Sequence, residues 1–258
     1  MGILLFVFLV SYFSLFQFLI LTYLWAIPIN ILIAILLDAI TIFLIILIMI
    51  PICKHTKVDN RFKHAYIRSL LRVGLFFINV HPKYEGLENI PDGPFVLFPN
   101  HKSYVDILVL FTMLRRPTAF ISKPENFNIP LVGKYMETIG CLALNRESDR
   151  EAAVSIINGI KLIKSGMSMV IFPEGGIKSR TDEHMMDIKA GAYKLAMKPK
   201  VPVIPVTLVG MTKIKERAPL RRTNVKCIIH KPILCDEYEN LNTHELGEKV
   251  FEIVNSAL

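Results

Sequence analysis

The chain has 258 residues, enough for one substantial core plus an appendage, with 52% hydrophobic residues and a net charge of +8. Its four cysteines (Cys53, Cys141, Cys227, Cys235) are widely spaced with no C-x-x-C pair, which excludes a zinc-ribbon or disulfide scaffold and points to buried thiols in a reducing compartment. No sequence-readable nucleic-acid module accompanies the basic charge, so an anionic membrane surface, and not nucleic acid, is the expected partner.

The charge is unevenly placed. The first Lys or Arg is Lys54, and Asp38 is the only charged side chain in residues 1–53. Two apolar runs, residues 3–24 and 27–50, broken near Trp25 and Pro28, each exceed the ~20 residues of helix that cross a bilayer core. Residues 1–53 are therefore expected to form a membrane-anchoring helical hairpin, with Pro28, Asn30 and Asp38 leaving open whether it spans or dips into one leaflet. The lack of positive charge before the first run argues against a secretory signal, and Phe6 argues against myristoylation at Gly2. The basic stretch Lys54 to Lys63 predicts that this end, and everything downstream, faces the cytoplasm. Residues 54–80 predict a basic interfacial helix, with Phe62, Tyr66, Leu70, Val73 and Phe77 on one face and Arg61, Arg68 and Arg72 on another. A helix packed on the following domain, with ordinary solvated arginines, fits the same pattern.

From residue 81 to 258, short β-rich runs alternate with amphipathic stretches. Strands are expected at 95–98, 118–122, 141–144, 167–172, 201–208 and 225–229. Helices are expected at 104–114, 150–164 (with Asp149 as N-cap), 189–197 and 244–257. That alternation predicts an α/β domain, a sheet flanked by helices on both faces.

Within it, Asn100-His101-Lys102-Ser103-Tyr104-Val105-Asp106 joins an imidazole to a carboxylate five positions on, at a strand-to-helix boundary. Imidazole suits a general base near neutral pH, and a carboxylate on its far nitrogen fixes the tautomer. Ser103 and Asp106 also match a capping box, a role that needs no chemistry and does not exclude the first. In Phe172-Pro173-Glu174-Gly175-Gly176 a β-run ends in glycines whose amides could approach a phosphate or an oxyanion. Gly140 through Asn145-Arg146 sets a guanidinium at a strand end, where ligands of α/β sheets bind; a surface arginine is the plain alternative.

Together these stretches resemble the glycerophospholipid acyltransferase family. Its N-H-x-S-x-x-D motif is matched by Asn100, His101, Ser103 and Asp106. Its second motif looks like Gly140 to Arg146, its F-P-E-G motif is matched by Phe172 to Gly175, and its V-P-(V/I)-(V/I)-P-V strand looks like Val201 to Val206. The resemblance implies a fatty acyl transfer from acyl-CoA or acyl carrier protein, as donor substrate and without a resident cofactor or metal, to the hydroxyl of a lysophospholipid. The acceptor it implies first is 1-acyl-sn-glycerol-3-phosphate. It implies His101 as base and Asp106 as its orienting acid, with Asn100, Ser103, Lys123, Arg146, Glu174, Gly175, Gly176 and Lys178 as substrate-binding positions. The chain departs where the family often has Thr-Arg-Ser: here Gly176-Ile177-Lys178 follows, so Lys178 or Arg180 must replace a phosphate-binding arginine, and a different lysolipid acceptor stays open. The rival from another class is a non-catalytic lipid-binding protein of the same fold. A hydrolase lacks a G-x-S-x-G elbow, and a metal site from His101, Asp106 and His184 rests on residue type alone.

Overall fold

The computed structural model describes residues 2–19 and 27–258, and the chain divides into two units, Met1–Thr56 and Lys57–Leu258. In the first unit, α1 (Gly2–Leu19) packs on α2 (Ile27–His55). Pro28 sits in the first turn of α2, where a missing N–H costs nothing, while the expected break at Trp25 lies outside the described residues. The buried positions Asn30, Ala34 and Asp38 recur every four residues and form one seam, and Ser11 donates to Asp38 at 2.7 Å. The large apolar side chains point the other way: Leu32 is 68% exposed and Ile48 59%. Polar groups inside and leucines outside is the arrangement lipid favours over water. Among the described residues α2 alone is long and apolar enough to cross a membrane, and a shorter apolar helix covers Leu5–Phe16.

The second unit begins with α3 (Arg61–Phe77), capped by Asn60, whose side chain accepts from the Lys63 amide. It packs on the domain through a face other than that of its phenylalanines. Lys63, His64, Ile67 and Leu75 face inward, while Phe62 and Phe77 are exposed. The arginines are not simply solvated either. Arg68 donates to the Leu114 carbonyl and Arg72 to that of Thr112 (3.2 Å), satisfying the orphan carbonyls at the end of α4 (Asp106–Met113). Lys63 reaches the Thr138 carbonyl at 2.6 Å, at the end of α5 (Val132–Thr138). Three cations, buried Lys63, half-buried Arg68 and exposed Arg72, thus tie α3 to two helix C-termini.

The domain is a seven-stranded sheet among the described residues, in the order β1 (Val80–Glu85), β7 (Thr223–Ile229), β6 (Val203–Val209), β2 (Val96–Pro99), β5 (Ser168–Val170), β3 (Thr118–Ser122), β4 (Leu142–Ala143). Neighbours are parallel except β6 and β7. Strand β1 was not expected from the sequence. It carries Pro82 and alternating polar residues, which a strand tolerates only at a sheet edge, where β1 lies. Helix α6 (Asp149–Lys164) is capped by Ser148, which accepts from the Glu151 amide, and not by Asp149, whose carboxylate lies in the first turn. A short 3₁₀ segment, Ala190–Tyr193, runs into α7 (Lys194–Met197), and α8 (Ile214–Arg217) and α9 (Thr243–Asn255) complete the covering layers. The core lies between the sheet and α6, α7 and α9, built on Phe98, Met169, Tyr193, Leu195, Val203, Leu246 and Val250; the Phe98 and Tyr193 rings stack at 4.4 Å. Burial pushes the Cys141 thiol up to about 12 and raises that of Cys227 as well, so both stay inert thiols at neutral pH.

His64 makes stability depend on pH. Burial lowers its pKa from 6.5 to about 4, although its ring sits on the Val58 carbonyl at 2.9 Å. A depressed histidine favours the fold above pH 6.5, and that contribution is lost as pH falls towards 4, because the unfolded chain takes the proton first. At pH 5 this amounts to about 2 kcal/mol relative to pH 7. Denaturant titrations should show His64→Gln losing less stability than the wild type over that interval; equal losses would remove His64 as the cause.

Candidate active site

The strands β2, β3, β4, β5 and β6 run parallel and end on one edge, where open α/β sheets bind ligands. The chain leaves β2 through Asn100 and His101 and enters α4 at Asp106. His101 Nδ1 lies 2.7 Å from Asp106 Oδ2, and the same oxygen accepts the amides of Lys102 (2.7 Å) and Ser103 (2.9 Å). Asp106 is fully buried, and its other oxygen, Oδ1, has no partner among the described residues. The anion is therefore held through one oxygen by three donors at the start of a helix. Only half of the expected capping box forms: Asp106 accepts the Ser103 amide, but the Ser103 hydroxyl does not take the amide of Asp106. The Ser103 hydroxyl accepts only from the Val105 amide (3.2 Å), and Val105 itself takes the N-cap position because the Asp106 carboxylate has folded back onto the loop.

Two buried side chains hold this loop from behind. Asn100 donates to the carbonyls of Glu183 (2.8 Å) and Leu208 (2.9 Å) and accepts from the Leu208 amide (2.7 Å). Glu174 accepts from the His101 amide (2.7 Å), the Lys102 ammonium (3.1 Å) and the Met186 amide (3.2 Å). Both Lys102 and Glu174 are buried, an ion pair removed from water and closed by hydrogen bonds. Phe172 completes the setting, its ring stacked on the imidazole at 3.9 Å between centroids. The histidine is thus fixed by its amide, its Nδ1 and its flat face. Its remaining nitrogen, Nε2, has no protein partner among the described residues, and the ring lines a cavity of about 1250 Å³.

That cavity has two chemistries. Its polar end gathers His101, Tyr104, Lys123, Arg146, Gly175, Gly176 and Arg180. Its apolar wall runs along α6 through Ala153, Ile156, Ile157 and Ile160, with Ile121 and Leu144 from the sheet side. The apolar side of α6 thus serves two neighbours: Ile163 is buried in the core, whereas Ile157 is half exposed and lines the groove. Gly175 and Gly176 have φ of +71° and +154°, a backbone conformation L side chains rarely adopt, and the Arg146 guanidinium lies against the loop, its Nη1 3.0 Å from where a Cβ on Gly176 would stand. The Gly176 amide donates to no protein acceptor among the described residues. Partial withdrawal of the Arg146 guanidinium from water lowers its pKa, opposed by Glu125, and leaves it charged at neutral pH.

Of the residues expected to touch substrate, Lys123, Arg146, Gly175 and Gly176 line the cavity beside His101. Asn100, Ser103 and Glu174 do not; the hydrogen bonds above turn them onto the protein, and they act through the histidine loop. Lys178 is also off the wall, paired with Asp187 at 3.4 Å, and of the two replacement candidates it is Arg180 that lines the cavity, 5.2 Å over the Tyr104 ring. His184 pairs with the exposed Asp182 at 2.7 Å, and no cluster of three metal-ligating side chains exists among the described residues. The role of Phe172 was missed because an aromatic after a β-run reads as core.

The family model described as Acyltransferase matches residues 81–209. The chain is 35% identical over 76% of its length to a chloroplastic 1-acyl-sn-glycerol-3-phosphate acyltransferase of Brassica napus, spanning 61% of that protein. It is 38% identical over 62% of its length to one of Arabidopsis thaliana, spanning 49% of it. The chain therefore spans about half to three-fifths of those two relatives. The crystal structure of the 1-acyl-sn-glycerophosphate acyltransferase PlsC from Thermotoga maritima superposes with a TM-score of 0.63 at 27% identity, over 75% of this chain and 77% of that one.

The buried pair can be tested apart from catalysis. Glu174→Gln strands the Lys102 ammonium and should cost about 3–5 kcal/mol of stability, whereas Glu174→Gln with Lys102→Met should recover most of it. Chemical denaturation measures both, and a silent single variant would contradict the assigned role.

Proposed function

The chain belongs to the acyltransferase family, and on that premise we propose that it transfers a fatty acyl group from an acyl thioester to the free hydroxyl of 1-acyl-sn-glycerol-3-phosphate, giving phosphatidic acid. The observation that carries this reading is the His101–Asp106 pair at the junction of a cationic pocket and an apolar groove. Binding alone does not require an imidazole whose one nitrogen is locked by a carboxylate while the other is open.

In this reading, Asp106 holds the proton on Nδ1, and Nε2 takes the proton of the acceptor hydroxyl as its oxygen attacks the thioester carbon. The Gly176 amide, in the cavity lining and without a protein acceptor among the described residues, stabilises the oxyanion that forms in this reading. On collapse the carbon–sulfur bond breaks and the imidazolium returns its proton to the departing thiolate, so no acyl-enzyme is formed. Arg146, Lys123 and Arg180 supply positive charge for the acceptor phosphate, and the α6 wall takes an acyl chain. The donor is acyl-CoA or acyl carrier protein. The apolar hairpin holds the chain at a membrane, with the basic stretch from Lys54 placing the catalytic domain on the cytoplasmic side.

A second acceptor, another lysophospholipid, is favoured by one observation: the loop lacks an arginine at 177 and 178, and Lys178 is engaged by Asp187. Incubating the purified protein with a panel of lysolipids and both thioester carriers, and identifying products by mass, separates these readings. His101→Ala should lower transfer about a thousandfold or more while membrane association persists; retained turnover would refute the assigned base. Arg146→Ala should raise the KM for a phosphate-bearing acceptor by about tenfold to a hundredfold, with a smaller effect on one lacking phosphate.

A further inference from the structure

Leu220 is the most exposed large apolar side chain among the described residues, at 92%. It lies in the connection between β6 and β7, which also carries Lys213, Lys215, Arg217, Arg221 and Arg222 and has Glu216 as its only acid. All five cations are exposed, and none pairs with a carboxylate among the described residues. The loop holds its own shape: Arg217 donates to the Arg222 carbonyl (2.9 Å), the Arg221 amide donates to that of Arg217 (2.7 Å), and Arg222 donates to the Asn224 side chain (3.1 Å).

A second apolar element adjoins it. Thr223, the residue after Arg222, pairs with Val80, and its amide donates to the Asn79 carbonyl at 2.9 Å. This pairing brings the end of α3 to the loop, and there Phe76 and Phe77 form an edge-to-face pair at 5.7 Å with both rings more than half exposed. The surface also lies on the edge that carries His101. Strand β6 runs parallel to β2, with Pro99 opposite Val206, so the loop leaves the sheet one strand from the histidine. Glu183 links the two directly: its carboxylate accepts the amides of Gly210 and Thr212, and its carbonyl accepts from Asn100.

We infer that Phe76, Phe77 and the Lys213–Arg222 loop form a membrane-docking surface of the catalytic domain, in which Leu220 enters an anionic lipid interface and the lysines and arginines of the loop bind its headgroup phosphates. An exposed leucine on a loop rich in cations suits an interface that is apolar below and anionic above, and charge complementarity selects anionic lipid as the occupant. This surface belongs wholly to the second unit and shares no residue with the cavity. It sets the sheet edge bearing His101 against the layer from which a lysolipid would come, and in that respect it rests on the proposed function.

The test uses the full chain with Leu220→Trp in a Trp25→Phe background, mixed with vesicles of phosphatidylcholine alone or with phosphatidylglycerol. Brominated acyl chains serve as the quencher. With phosphatidylglycerol, emission from the introduced indole should shift to the blue and be quenched by the bromolipid. Adding Arg221→Gln and Arg222→Gln should weaken that insertion about thirtyfold. Emission that stays at its water-exposed position would overturn the inference, as would equal quenching without phosphatidylglycerol. A shift produced by soluble polyphosphate and not by vesicles would assign the loop to a soluble acidic partner, and would overturn it too. Because insertion is read without turnover, an inactive chain that inserts leaves this surface standing, and an active chain that does not insert leaves only the transferase reading.

Discussion

One carboxylate oxygen organises the site. Asp106 Oδ2 collects the His101 Nδ1–H and two loop amides, while Oδ1 is buried with no partner among the described residues. A buried anion so placed must be neutralised by donors, and the imidazole is one of only three. The same contact that satisfies Asp106 therefore fixes the histidine tautomer and leaves Nε2 facing the cavity. Positive charge that develops on the ring during proton transfer meets a counter-charge already in position, with no reorganisation needed at that moment. Structure and chemistry here share one set of hydrogen bonds.

The rest of the domain keeps that loop still. Asn100 ties it to β6, Glu174 ties it to the segment after β5, and Phe172 backs the ring. The Lys102–Glu174 pair is buried between two motifs 72 positions apart in sequence. Such a pair contributes little net stability, but either half alone is costly, so the two motifs are bound to one arrangement. The motif residues thus divide by direction. His101, Arg146 and the two glycines face the cavity, and Asn100, Ser103, Asp106 and Glu174 face the protein.

That division was not legible in the sequence. The spacing of His101 and Asp106 announced a pair, and alternating apolar runs announced an α/β sheet, because both signals are local and periodic. Whether a polar motif residue faces ligand or protein depends on tertiary neighbours, so Asn100 and Glu174 read as substrate contacts. Between Lys178 and Arg180 the sequence could not choose, and the structure pairs Lys178 with Asp187 and leaves Arg180 to line the cavity. In α3, periodicity marked the phenylalanine face but not the buried one, where Lys63 is drawn inward by the carbonyl at the end of α5 and His64 by the carbonyl of Val58. Strand β1 was hidden by Pro82, admissible only because no strand lies beyond it.

The position of one proton on the His101 ring decides whether a base faces the cavity, and that proton can be observed directly. Nitrogen-15 NMR of selectively labelled histidine, with His101 assigned by substitution, reports which ring nitrogen carries hydrogen in the resting protein. The account requires Nδ1 protonated and Nε2 bare when the ring is neutral. A neutral His101 carrying its proton on Nε2 would leave no base aimed at the cavity and would contradict it.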